Sequence, residues 1–157
     1  MKAKPGVVDL LNQMLTIELT AINQYFVQAG MMKNWGYERL AAKIRELSLD
    51  EMRDADELID HILYLEGVPN MQRLGQVRVG ENVQECLELD LQTERDAVQF
   101  LVGAIAHCAQ VGDYTTRSKF EEMIRDEEEH VDWFETQLET IRQVGVERYL
   151  AQQIYKE

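Results

Sequence analysis

Two short motifs in this sequence place metal-binding side chains three residues apart. The first is Glu51-x-x-Asp54 and the second is Glu127-x-x-His130. Residues three apart on a helix lie on the same face, so each pair can point at one ion. Carboxylate and imidazole groups are common ligands of divalent transition metals. The motifs therefore suggest metal binding.

The two motifs are parts of a longer internal repeat. A single glutamate precedes each motif by 33 residues, Glu18 in the first half and Glu94 in the second. A shift of 76 residues aligns the two halves and pairs Leu15 with Leu91, Glu18 with Glu94, Ala21 with Ala97, Gly36 with Gly112, Asp50 with Asp126, Glu51 with Glu127 and Asp54 with His130. The repeat predicts two similar hairpins that face each other.

Helices must position these side chains, because apolar residues recur at spacings of three and four. We predict helices at about residues 5–34, 37–66, 82–111 and 113–144, and a short fifth helix at about 146–154. The connection "GVPNMQRLGQVRVGE" has 15 residues and at ~3.3 Å per residue reaches about 50 Å. A ~28-residue helix is only about 40 Å long. The sequence thus predicts an all-α single domain over residues 1–157, a four-helix bundle with one long crossover connection.

Each of the four glutamates interrupts an otherwise apolar stripe, so five carboxylates and one imidazole share one level of the core. Burying carboxylates without cations costs several kcal/mol each, and a network with shared protons is the alternative. The donor set is typical of dinuclear carboxylate sites and favours Fe(II) or Mn(II). The predicted ligands are Glu18 and Asp54 for one ion and Glu94 and His130 for the other, with Glu51 and Glu127 as bridges.

The charge balance narrows the classes of partner. The chain has 29 acidic and 16 basic residues and a net charge of −13, which argues against binding to nucleic acid or to anionic membranes. Cys86 and Cys108 form no C-x-x-C motif and predict no disulfide framework. The sequence has no apolar run typical of a signal peptide or a membrane span. We expect a cytoplasmic protein.

Six blocks of the sequence, in order, resemble the bacterioferritins, the haem-bearing bacterial branch of the ferritins. They are "IELTAINQYF", "LDEMRDAD", "LEGVPNMQRLG", "GENVQECLELDLQTE", "VGDYTTR" and "DEEEHVDWFETQL". The resemblance covers essentially the whole chain. It implies a ferritin-like bundle, a hollow shell of twenty-four subunits that stores ferric mineral, ferroxidase activity at a diiron site, and a ferredoxin as reductant.

The resemblance also suggests roles for residues outside the ligand set. A second apolar stripe on the second helix faces away from the core and consists of Leu49, Met52, Ile59 and Leu63. By pattern alone Met52 fills a dimer interface, whereas the resemblance implies that Met52 and its symmetry mate ligate a b-type haem. Tyr25 is either an electron donor to the iron site or a core tyrosine. The candidate catalytic residues are therefore Glu18, Glu51, Glu94, Glu127, His130 and Tyr25.

Two departures from the family pattern matter. Asp54 stands where the family has a ferroxidase histidine, and Glu46 and Leu47 stand where it often has histidine and glutamate. Asp50, a further candidate metal ligand on an implied inner iron path, remains. Asp54 leaves two hypotheses open: a working ferroxidase, or a haem-carrying structural subunit that co-assembles with an active subunit. A rubrerythrin-like peroxidase is disfavoured because no rubredoxin-type C-x-x-C occurs. His61 is expected at the surface.

Overall fold

The computed structural model describes residues 1–156, and four long helices account for most of them. The elements are α1 (Val7–Asn34), α2 (Glu38–Tyr64), α3 (Val83–Val111), α4 (Tyr114–Val144) and the short α5 (Val146–Ala151). No strand occurs among the described residues. The predicted all-α fold with four long helices and a short fifth is confirmed. The predicted single domain covers residues 1–157, of which Glu157 lies outside the described residues.

Local sequence signals explain where α3 begins and ends and where α4 begins. The Asn82 side chain accepts a hydrogen bond of 2.9 Å from the Glu85 amide and so caps α3. Asp113 caps α4 in the same way by accepting from the Thr116 amide at 2.9 Å. Between the two helices Gly112 adopts φ = 78°, a left-handed conformation that favours glycine and ends α3. The tight turn holds α3 and α4 together as one hairpin.

The helices pack as two hairpins joined by the long connection. α1 packs along α2, α3 packs along α4, and α1 also contacts α3. The crossover, residues 65–82, runs along α1 and is held there by a row of polar side chains. The hydrogen bonds are Asn12 Nδ2 to Val68 O (3.0 Å), Asn70 N to Asn12 Oδ1 (2.7 Å), Gly75 N to Thr20 Oγ1 (2.8 Å), Arg78 N to Gln24 Oε1 (3.0 Å) and Gln28 Nε2 to Val79 O (2.9 Å).

The apolar core is divided in two by a polar layer. One part, the Tyr25 cluster, includes Ala21, Tyr25, Leu40, Ile44, Leu87 and Phe134. The other part, the Phe120 cluster, includes Leu11, Leu15, Leu58, Ile62, Leu101 and Phe120. On each long helix the polar layer lies between these clusters, near residues 18, 51, 94 and 127. Rigid apolar packing on both sides therefore fixes the helix backbones that carry the charged side chains.

The structure corrects two details of the sequence expectations. α5 ends at Ala151 rather than near residue 154, because its last turn tightens into i to i+3 bonds and the Gln153 carbonyl accepts from the Arg39 amide at 2.9 Å. The surface placement of His61 is wrong: it is buried and its Nε2 lies 2.7 Å from Thr116 Oγ1. Within residues 1–156, every helix is too short or too polar to cross a bilayer.

Candidate metal centre

The four glutamates of the polar layer come from four different helices and are almost completely buried. Glu18 is 0% exposed, and Glu51, Glu94 and Glu127 are each 1% exposed. Carboxylates are seldom buried without a partner. Nevertheless both oxygens of Glu18 and at least one oxygen of each other glutamate lack a hydrogen bond within the described part of the chain. These orphaned acceptors fit cations, because a metal ion would replace the missing partners.

Two groups of possible ligand atoms form around this layer. In the first, which we call the His130 position, single atoms of four residues lie within 4.8 Å of one another: Glu51, Glu94, Glu127 and His130. In the second, the Asp54 position, the same holds for Glu18, Glu51, Asp54 and Glu127. Glu51 and Glu127 belong to both groups. The geometry thus provides two adjacent four-residue sites that share two carboxylates.

His130 occupies the space between carboxylates of the first group. Its Nδ1 lies 3.1 Å from Glu51 Oε1, 3.4 Å from Glu94 Oε1 and 4.0 Å from a Glu127 oxygen. Burial opposes protonation of the ring, but the close carboxylates of Glu51 and Glu94 outweigh it and raise the pKa of His130 to about 10. Without an ion, the imidazolium is therefore the positive charge nearest to these carboxylates.

The remaining acids of the layer resist ionisation in the absence of a metal. Burial, followed by the charge of Glu51, raises the pKa of Glu18 and that of Glu127 well above the ordinary value. The same two causes raise the pKa of Asp54 to about 7. Glu94 differs: burial opposes its ionisation, yet hydrogen bonds from its neighbours lower its pKa. Metal ligation needs carboxylates, so an ion entering this site would displace protons.

Tyr25 contacts the centre directly, because its hydroxyl donates a hydrogen bond to Glu94 Oε1. The side chain is fully buried, and its ring lies 6.0 Å from the ring of Phe134. Burial, then the charge of Glu94, raises the pKa of Tyr25 well above its ordinary value. Tyr25 is thus both a core residue and a neutral donor that holds one carboxylate of the His130 position.

Asp54 and Asp50 occupy different places. Asp54 is half-buried and belongs to a ligand group, whereas Asp50 belongs to neither of the two groups and pairs with Arg53 at 3.0 Å. Asp50 still lies 3.9 Å from the second ring nitrogen of His130. A surface cavity of about 300 Å³ opens above the centre and is lined by Asp50, Arg53, Asp54, Glu57, Asp126, Glu129 and His130. Asp54 and His130 connect this acidic cavity to the buried layer.

Met52 lies on an exposed face of α2, outside the centre. It is 48% exposed, and the neighbouring stripe residues Leu49 and Leu63 are 41% and 56% exposed. An exposed thioether within an apolar strip is suited to an apolar partner that also needs a soft ligand. A haem placed between two such strips fits these residues.

Comparison with known proteins now identifies the family. Residues 8–144 match the family of ferritin-like domains. Bacterioferritin BfrA of Mycobacterium tuberculosis is 47% identical over 152 residues, covering 97% of this chain and 96% of the relative. The chain belongs to the bacterioferritin family. Bacterioferritins of Brucella melitensis and Rhodobacter capsulatus are 44% and 45% identical over 149 and 145 residues, covering 95% and 92% of this chain and 92% and 90% of the relatives.

Parts of the site of this bacterioferritin family member are not evident from the sequence. One part is the rim of the cavity, where Glu57, Asp126 and Glu129 join Asp50. One signal was available, because Asp126 is the repeat partner of Asp50. No pattern in the sequence indicates the hydrogen bond from Tyr25 to Glu94.

Proposed function

We propose that the protein stores iron and oxidises Fe(II) at the centre in its core. The observation that carries the proposal is the pair of four-residue groups that share Glu51 and Glu127. A shared pair of carboxylates can hold two substrate ions side by side, which is what a two-electron oxidation of two Fe(II) requires. Membership of the bacterioferritin family supports iron storage as the purpose of this oxidation.

Each residue of the centre has a separate role in binding the two Fe(II) ions. Glu18 and Asp54 bind one Fe(II), Glu94 and His130 bind the other, and the shared carboxylates bridge them. Two Fe(II) give two electrons to O2, which takes up two protons and becomes H2O2. When H2O2 is the oxidant, it takes up two electrons and two protons and becomes two molecules of water. The hydroxyl of Tyr25 keeps Glu94 oriented, because it donates to an oxygen of that carboxylate. Tyr25 is also our candidate for an extra electron donor.

Oxidised iron then accumulates as ferric mineral inside a shell of twenty-four subunits. The net charge of −13 per chain gives such a shell a strongly negative field that attracts Fe(II). We place a b-type haem between pairs of subunits with the exposed Met52 as its ligand, and it would supply an electron path for iron release. A ferredoxin is the proposed reductant.

One observation favours a second function. Asp54 gives the centre five carboxylates against the charge of two ferrous ions, so an excess negative charge stabilises the ferric product and slows its departure. The chain would then be a haem-carrying structural subunit that co-assembles with a separate, active bacterioferritin subunit.

Anaerobic loading of the purified chain with Fe(II), followed by O2, separates the two functions. We expect rapid oxidation of two Fe(II) per subunit by the native chain. An Asp54→His variant should release its product more readily and turn over faster, and an Asp54→Ala variant should lose activity. If all three proteins fail to oxidise two Fe(II) per subunit, the structural subunit is the better explanation.

A further inference from the structure

We infer that the two ion positions differ in selectivity, and that Mn(II) enters the Asp54 position in preference to the His130 position. The inference deepens the proposed function and rests on its assignment of ligands. It predicts a mixed Mn/Fe pair when both ions are present.

The two positions offer different donor atoms. The Asp54 position has four carboxylates and no nitrogen donor, whereas the His130 position has three carboxylates and one imidazole. Hard oxygen donors suit Mn(II), and imidazole favours the later metals of the first row, including iron. Both positions share Glu51 and Glu127, so the contrast arises from Glu18 with Asp54 on one side and Glu94 with His130 on the other.

The inference concerns the ratio of the Mn(II) affinity to the Fe(II) affinity at each position, because Fe(II) generally binds a given site more tightly than Mn(II) does. Replacing an imidazole by a carboxylate removes the donor on which much of that advantage depends. The ratio of Mn(II) to Fe(II) affinity is therefore higher at the Asp54 position, even if iron binds well at both.

Charge adds to the contrast between the positions. Glu51 and Glu127 contribute equally to both positions. The Asp54 position therefore carries one negative charge more than the His130 position, because it has Asp54 where the other has a neutral imidazole. The two glutamates also differ in their partners, because Tyr25 donates a hydrogen bond that orients Glu94. Both oxygens of Glu18 lack a hydrogen bond within residues 1–156. Because of its additional negative charge, the Asp54 position attracts a divalent cation more strongly and depends less on a nitrogen donor.

Access does not distinguish the two positions. One ligand of each position lines the acidic cavity of about 300 Å³, Asp54 in one and His130 in the other. Glu18 and Glu94 are both buried. The acidic rim, Asp50, Glu57, Asp126 and Glu129, attracts any divalent cation without selecting among them. Selection therefore takes place at the ligand groups themselves.

Anomalous diffraction can measure the occupancy of each ion at each position. Crystals of the purified protein would be equilibrated without oxygen in equal concentrations of Mn(II) and Fe(II), and data collected on either side of the two absorption edges. We expect a Mn/Fe occupancy ratio several-fold higher at the Asp54 position than at the His130 position.

An Asp54→His variant tests the cause, because it gives both positions one imidazole. The ratios at the two positions should then become similar. The matched control is Asp56→His, which adds a histidine to an exposed position of α2 and should leave the native difference unchanged. Electron paramagnetic resonance of bound Mn(II) in solution gives an independent readout, and the Asp54→His variant should retain less Mn(II) in competition with Fe(II).

The possible failures are distinguishable. Equal Mn/Fe ratios at both positions of the native protein would overturn the inference but leave the proposed dinuclear centre intact. Ions at the His130 position alone would overturn both the inference and the role of Asp54 as a ligand. If neither position binds an ion, the proposed function itself fails.

Discussion

Replacing Glu18 by glutamine should stabilise the metal-free protein and weaken its response to metal. Glu18 is fully buried, and both of its oxygens lack hydrogen bonds within the described residues. Glutamine has nearly the same shape, carries no charge, and its amide can donate to the neighbouring Glu51 or Glu127. The change therefore removes a buried acid that must either carry an uncompensated charge or hold its proton above its ordinary pKa, and it opens no cavity.

The gain in stability from Glu18→Gln depends on pH, and its sign follows from the raised pKa of Glu18. Burial, then the charge of Glu51, raises the pKa of Glu18 in the folded state above its unfolded value. The folded state thus binds the proton more tightly, and native stability falls as the pH rises from about 4.5 through the folded pKa. Glutamine does not titrate, so the variant lacks this contribution. The advantage of the variant should be small at pH 5 and larger at pH 8.

Removing a buried, unsatisfied charged group should gain about 1–3 kcal/mol at pH 8. For a chain of this size each kcal/mol corresponds to about 2–4 °C in Tm, so we expect an increase of about 2–12 °C. The assay is thermal unfolding of chelator-treated protein, with assembly state checked by size-exclusion chromatography. Anaerobic Mn(II) should raise the Tm of the native protein more than that of the variant.

A matched control is Glu122→Gln, which makes the same substitution at an exposed position of α4. This control should change the Tm by less than about 2 °C, since exposed substitutions are usually within 0.5 kcal/mol of neutral. The reasoning is refuted if Glu18→Gln lowers the Tm of the metal-free protein equally at pH 5 and pH 8. That result would mean that the Glu18 carboxylate is already well compensated in the metal-free fold.

Three further changes test other parts of the structure. Tyr25→Phe removes the hydrogen bond to Glu94 and should weaken ion binding about 10-fold in an anaerobic titration; an unchanged affinity would show that the hydroxyl does not orient the ligand. Met52→Leu should abolish the haem absorption bands while assembly persists, whereas Met71→Leu, at another exposed methionine, should keep them; full haem retention in Met52→Leu would exclude Met52 as a ligand. Gln24→Ala leaves buried polar groups of α3 and the crossover unpaired and should cost about 1–3 kcal/mol in chemical denaturation; no loss would mean that water replaces the amide.

Much of the fold was readable from the sequence because helical periodicity is a local property. Apolar spacing defined the helices, and the length of the connection between the second and third helices required a crossover along the bundle. The repeat went further, because equal spacing from Glu18 to Glu51 and from Glu94 to Glu127 places all four residues at one level of two similar hairpins. The structure brings these four glutamates together in the buried layer.

The tertiary structure alone decided which side chain meets which neighbour. Asp50 and Glu51 are adjacent in the sequence, but the turn of α2 puts Glu51 in both ligand groups and leaves Asp50 at the rim of the cavity. The sequence predicts His61 at the surface, but the start of α4 covers this side chain and supplies Thr116 as its partner.

The contacts of Tyr25 and Asp90 were equally hidden in the sequence. The Tyr25 hydroxyl reaches Glu94 across the interface of α1 and α3, and Asp90 is buried where Gln24 of α1 donates to it at 2.8 Å. Periodicity indicates which face of a helix points inward, but it does not specify the rotamer of a side chain or the residue opposite it. Those depend on how the helices are rotated against one another, and close packing of the whole bundle sets that rotation.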